Sequence, residues 1–227
     1  MAENVWNDSE LPAVLYDRKG KGQMENKKLA VLFPGIGYTC MKPLLYYTAQ
    51  AAQAHGYEIL RLDYGEDIHA FRGRTEEELQ PLYEMAVGRV MKTLRSVNWE
   101  IYQDILFISK SIGTAVACET ARQLKLDALQ FLMTPIRQTL SYLGMIRGCF
   151  VAGTADPVLD VVLLQKAAEE YPDKAGIIFE GCNHSLEKKD DTAGNIHRLG
   201  EVVELMERLL TEENKKQLIQ NDHRKKE

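Results

Sequence analysis

An apolar run, Asp104-Ile105-Leu106-Phe107-Ile108, flows without a break into Ser109-Lys110-Ser111-Ile112-Gly113 and then into small, helix-compatible residues from Thr114 to Leu124. In order these read as a buried strand, a turn of small residues and a helix. A strand that turns this sharply brings the helix so close that the side chains two before and two after the turn residue have to be small. Centred on Ser111, those positions are Ser109 and Gly113; centred on Ser109, one of them would be Phe107, which does not fit. The turn therefore singles out Ser111 and lifts its hydroxyl off the top of a sheet. Lys110, beside it, is expected to point sideways in a structural role. The plain alternative for Ser111 is a helix N-cap, the commonest role of serine before an apolar helix.

Two later segments end in residues that would activate such a hydroxyl. Gly148-Cys149-Phe150-Val151-Ala152 reads as a buried strand running into Gly153-Thr154-Ala155-Asp156-Pro157, and Ile177-Ile178-Phe179 as a strand running into Glu180-Gly181-Cys182-Asn183-His184-Ser185. A serine nucleophile needs a base, and the base needs a carboxylate to orient it. Asp156 and His184 supply both where strands give way to loops. In a parallel sheet those carboxyl ends share one edge with the Ser111 turn. Asp156 also suits the N-cap of a helix starting at Val158. His55, His69, His197 and His223 do not follow a late strand, so His184 is the candidate base. An imidazole base would give hydrolysis an acid limb near pH 6 to 7, roughly the usual imidazole range.

The remaining pattern alternates strands with helices. Ala13–Tyr16, Leu29–Phe33, Ile59–Leu62 and Ala128–Met133 read as further strands, with a Gly- and charge-rich hairpin over 17–23. Helices are expected from Pro43 to about His55, from the capping box Thr75-x-x-Glu78 to about Val97 with Pro81 as a start or kink, over Val158–Tyr171, and over Ile196–Leu210. Such alternation implies an α/β fold, a mostly parallel central sheet with helices on both faces. One domain over 13–212 is expected, after a polar segment over 1–12 and before a charged, frayed tail over 213–227. The stretch between Thr134 and Gly148 is too short for a cap domain. Tyr142, Leu143 and Met145, or His69 and Phe71, are candidate site walls.

The elbow Ser109-Lys110-Ser111-Ile112-Gly113-Thr114, the loops Gly153-Thr154-Ala155-Asp156-Pro157 and Asn183-His184-Ser185, and Pro34-Gly35-Ile36-Gly37-Tyr38 after an early strand together resemble the α/β-hydrolase superfamily. The likeness is to its small lidless bacterial members, such as dienelactone hydrolases and carboxylesterases, and spans residues 13 to 210. Ser109 replaces the usual first glycine of the elbow, and Pro34 stands where lipases often carry histidine. The resemblance implies a serine hydrolase of carboxylic esters or thioesters, with Ser111, Asp156 and His184 as triad and no cofactor. Backbone N–H groups of Ile112 and of Ile36 or Gly37 would form the oxyanion hole. Without a lid, small soluble esters should outperform long-chain lipids.

Composition narrows the partners. A net charge of −5 gives no electrostatic case for nucleic acid. No apolar run reaches membrane-spanning length and the N-terminus is polar, so a cytoplasmic enzyme acting on a small molecule is the expectation. Cys40, Cys118, Cys149 and Cys182 lack metal-ligand spacing and read as reduced thiols, with Cys40 and Cys182 as small buried fillers. Two rival readings stand beside the hydrolase. Gly35-x-Gly37-x-x-Cys40 with Asp63 faintly echoes a dinucleotide-binding unit, although its third position is cysteine. The fold could also serve as a non-catalytic binding protein, since fold alone does not prove chemistry.

Overall fold

The computed structural model describes residues 27–69 and 76–224. The expected strand Ala13–Tyr16, the hairpin after it, Phe71 and the capping residue Thr75 lie outside them. The strands are β1 (Lys27–Phe33), β2 (Tyr57–Arg61), β3 (Tyr102–Lys110), β4 (Leu129–Met133), β5 (Arg147–Gly153) and β6 (Ala175–Phe179). The helices are α1 (Pro43–Ala54), α2 (Glu66–His69), α3 (Glu76–Leu94), α4 (Ile112–Leu124), α5 (Arg137–Leu140), α6 (Val161–Glu170) and α7 (Thr192–Arg224).

The six strands form one sheet in the order β2-β1-β3-β4-β5-β6, and every pairing is parallel. Strand residues alternate between faces, so each strand feeds two cores. Ala30, Leu32, Leu106, Ile108, Phe131, Met133 and Val151 meet α1 and α7 on one face. Val31, Phe33 and Phe107 meet α3 and α4 on the other, where Leu132, Phe150 and Ala152 continue the layer beneath α6. Phe33, Phe107, Phe131 and Phe150 have no exposed surface. Burying each contributes about 1.5–3 kcal/mol. Strands buried on both faces read as the near-continuous apolar runs seen in the sequence.

Several boundaries depart from expectation. Helix α3 runs through Pro81 rather than starting there, because Leu79, Leu82, Tyr83, Ala86, Val87 and Val90 pack one continuous stripe onto the sheet. Helix α6 begins at Val161, not Val158. Its cap is Asp160, whose carboxylate accepts the Val162 N–H, so Asp156 does not cap it. The tail expected to fray after 213 continues α7 to Arg224. From Glu201 onward α7 contains no Gly or Pro, and its Glu, Lys, Gln and Leu residues favour helix. Between β4 and β5 stand only α5 and one 3₁₀ turn, Leu143–Met145.

Candidate active site

The sheet order reverses between β1 and β3: the chain moves outward from β1 to β2, then returns past β1 and continues from β3 to β6. Such a reversal opens a crevice at the carboxyl ends of the two central strands. Two turns face it, Pro34–Tyr38 after β1 and Ser109–Gly113 after β3. The first is closed by reciprocal Gly35–Tyr38 backbone hydrogen bonds.

Ser111 has φ 58° and ψ −127° and makes no side-chain capping bond to α4. The helix-cap alternative therefore does not describe it. A non-glycine residue in this region is strained by about 1–3 kcal/mol and persists only where its surroundings enforce it. The enforcement is visible on both sides. Its N–H donates to the Met133 carbonyl (3.0 Å), and a Cβ added at Gly113 would lie 2.4 Å from the Phe33 carbonyl oxygen. Ser109 is fully buried between strands.

Loops after β5 and β6 bring Asp156 and His184 to the same edge. His184 Nδ1 lies 2.7 Å from Asp156 Oδ2, and its Nε2 lies 2.7 Å from Ser111 Oγ. A carboxylate only accepts, so Nδ1 carries the proton and Nε2 accepts from the Ser111 hydroxyl. The second carboxylate oxygen of Asp156 accepts the Val158 N–H at 2.8 Å, which fixes the carboxylate plane. The Asp156 side chain is 2% exposed and that of His184 21%. Burial lowers the His184 pKa below its ordinary value; Asp156 opposes the shift and the Lys110 charge adds to it. The base loop is held from within: Asn183 accepts the Ser185 and Glu187 N–H groups, and Gly153 lies where a Cβ would meet the Cys182 carbonyl at 2.2 Å.

A cavity of about 720 Å³ opens beside Ser111 and His184. Ile36, Leu79, Ile112, Ile136, Pro157, Val158, Leu159 and Leu163 make it largely apolar, with Arg137, Gln138 and Asp160 as its polar walls. Neither the Ile36 nor the Ile112 N–H has an acceptor among the described residues. Gly37 does not line the cavity. The expected walls from the 142–145 segment lie elsewhere. Tyr142 bonds Tyr83 and Glu119, Leu143 is fully buried and Met145 is exposed away from the cavity. His69 closes the short helix α2.

Lys110, expected to point sideways in a structural role, is directed into the protein. It is 1% exposed, its ammonium donates to the His184 carbonyl at 2.9 Å, and it stands 4.8 Å from the centre of the Tyr38 ring. Its position two residues after Ile108 on the same strand face was the available signal. The four cysteines are free and buried, and burial pushes the thiols of Cys40, Cys118 and Cys149 up to about 12. They are fillers rather than nucleophiles. The dinucleotide reading meets an obstacle as well: the Leu44 N–H at the start of α1, which a pyrophosphate would need, donates to the Tyr38 hydroxyl at 3.0 Å. Among the described residues no helix is long and apolar enough to cross a membrane.

No family model and no curated protein matches the chain. Solved structures match it in fold. An α/β serine hydrolase homologue from Coxiella burnetii is 18% identical with a TM-score of 0.56, covering 85% of this chain and 87% of its own. An esterase from Pyrococcus furiosus is 14% identical with a TM-score of 0.53, covering 82% and 85%. An α/β serine hydrolase without a lid, from Xanthomonas campestris, is 13% identical with a TM-score of 0.51, covering 79% and 81%. The chain has the α/β-hydrolase fold.

Proposed function

We propose that this protein is a serine hydrolase that cleaves a small carboxylic ester or thioester. The observation that carries the reading is the unbroken chain from Asp156 through His184 to Ser111, each link 2.7 Å, ending on a serine held at φ 58°. In this reading Ser111 Oγ attacks the substrate carbonyl while His184 Nε2 takes its proton. Asp156 holds the Nδ1–H tautomer and stabilises the imidazolium. The free N–H groups of Ile112 and Ile36 stabilise the tetrahedral oxyanion, and Ile112 adds the positive end of the α4 dipole. His184 then returns the proton to the leaving alcohol or thiol. A water activated by the same imidazole releases the acid and restores Ser111.

The aliphatic cavity walls suit an apolar acyl group. The fold neighbours described as hydrolases and an esterase support the reaction class at the level of fold. A panel of p-nitrophenyl esters of increasing acyl length tests the proposal. Ser111→Ala should lower turnover by roughly 10⁴ to 10⁶, because such residues act as one unit. Ser109→Ala should stay within about tenfold, since that position only needs to be small. Undiminished hydrolysis by Ser111→Ala would rule out Ser111 as the nucleophile, and wild type that hydrolyses no ester of the panel would leave the fold serving as a binding protein.

A further inference from the structure

Lys110 is a cation with almost no exposed surface, on the strand residue directly before the nucleophile. Burying an ammonium is costly, and a methionine of similar volume would pack at least as well there. What the ammonium touches explains the residue. On one side it donates to the backbone carbonyl of His184. On the other it faces the ring of Tyr38, the residue that closes the turn carrying Ile36. The Tyr38 hydroxyl in turn accepts the Leu44 N–H at the start of α1, which fixes the ring.

We propose that Lys110 is a positioning residue: its ammonium ties the loop that bears His184 to the turn that bears Ile36, and so holds the imidazole at the Ser111 hydroxyl. This rests on the hydrolase reading of the same site. The tie has an electrostatic consequence. A positive charge beside His184 disfavours the imidazolium and keeps the base neutral. The charged and titratable groups facing Lys110 are Asp156 and Glu187, which favour its charged form, His184, and Tyr38, whose hydroxyl burial pushes up to about 12 and leaves neutral. Burial brings the Lys110 ammonium itself down to about 7, so it is charged across the acid side of the activity profile.

The test compares wild type, Lys110→Met and Lys110→Gln on a short p-nitrophenyl ester, with Ser111→Ala as control. Lys110→Met removes charge and donor; Lys110→Gln keeps a donor and covers the case in which the methionine variant does not fold. Loosening the base should lower kcat by about 10- to 100-fold with little change in KM, because small misplacements of a reacting group cost on that order. Loss of the charge should move the acid limb of kcat/KM to higher pH in both variants, with Lys110→Gln retaining more kcat. A purely structural lysine would change thermal stability and leave the limb in place. Wild-type kcat and an unmoved limb in a folded variant, with Ser111→Ala inactive, would overturn the proposal. Undiminished hydrolysis by Ser111→Ala would instead overturn the hydrolase reading.

Discussion

Ser111 and His184 are set by opposing local demands. The serine is held in a backbone conformation that side-chain-bearing residues rarely adopt, and the histidine is partly buried beside a carboxylate and within reach of a cation. The sequence pointed to both because an elbow tolerates only small neighbours and because one histidine follows a late strand. Lys110 reads from the sequence as a structural residue pointing sideways; its contact with the His184 carbonyl depends on a loop distant in sequence. The burial of His184 has a direct consequence for pH. Burial, with the Lys110 charge, disfavours the imidazolium, so the proton leaves at a lower pH than from a free imidazole. A general base must be neutral, so the acid limb of kcat/KM should lie below 6.5 rather than in the upper part of the ordinary imidazole range. Activity falls as pH drops through that limb. A limb above about 7 with a chemistry-limited substrate would show that Asp156 outweighs burial.

At the scale of elements, the start of α4 crosses closely over the end of β1. A Cβ at Gly113 would lie 2.4 Å from the Phe33 oxygen and 2.5 Å from the Pro34 oxygen, both backbone atoms that cannot step aside. Gly113→Val should therefore destabilise the protein by at least about 3 kcal/mol, at the upper end of overpacking costs. That corresponds to a fall in Tm of roughly 6–12 °C for a chain of this size. Ala128→Val, four per cent exposed at the entry to β4, should cost far less. Thermal unfolding followed by circular dichroism gives both values, and equal losses would mean the crossing is not tight. Element types followed from apolar periodicity, whereas ends did not. Asp156 and Asp160 each accept a backbone N–H two residues on, from Val158 and Val162, and only the second of these bonds opens α6. Pro81 was overridden by packing on either side of it.

For the molecule as a whole, alternating strands and helices made a parallel sheet legible, but not its order. The order matters because the reversal between β1 and β3 opens the crevice, and the loops after β4 and β5 then supply the walls at Ile136–Gln138 and Pro157–Leu163. Those walls carry no sequence signature; they are loop and first-turn helix residues made into a cavity by strands distant in sequence. The convergence of three strand ends on one hydroxyl is the central claim, and it predicts a serine that reacts covalently. A fluorophosphonate probe, which loses fluoride as a serine oxygen bonds to phosphorus, tests it without knowledge of the natural ester. Intact-mass analysis should find one adduct on wild type, mapping to Ser111, and an equal one on Ser109→Ala. Ser111→Ala should carry none. Wild-type protein that stays unlabelled, or an adduct that persists in Ser111→Ala, would contradict the account.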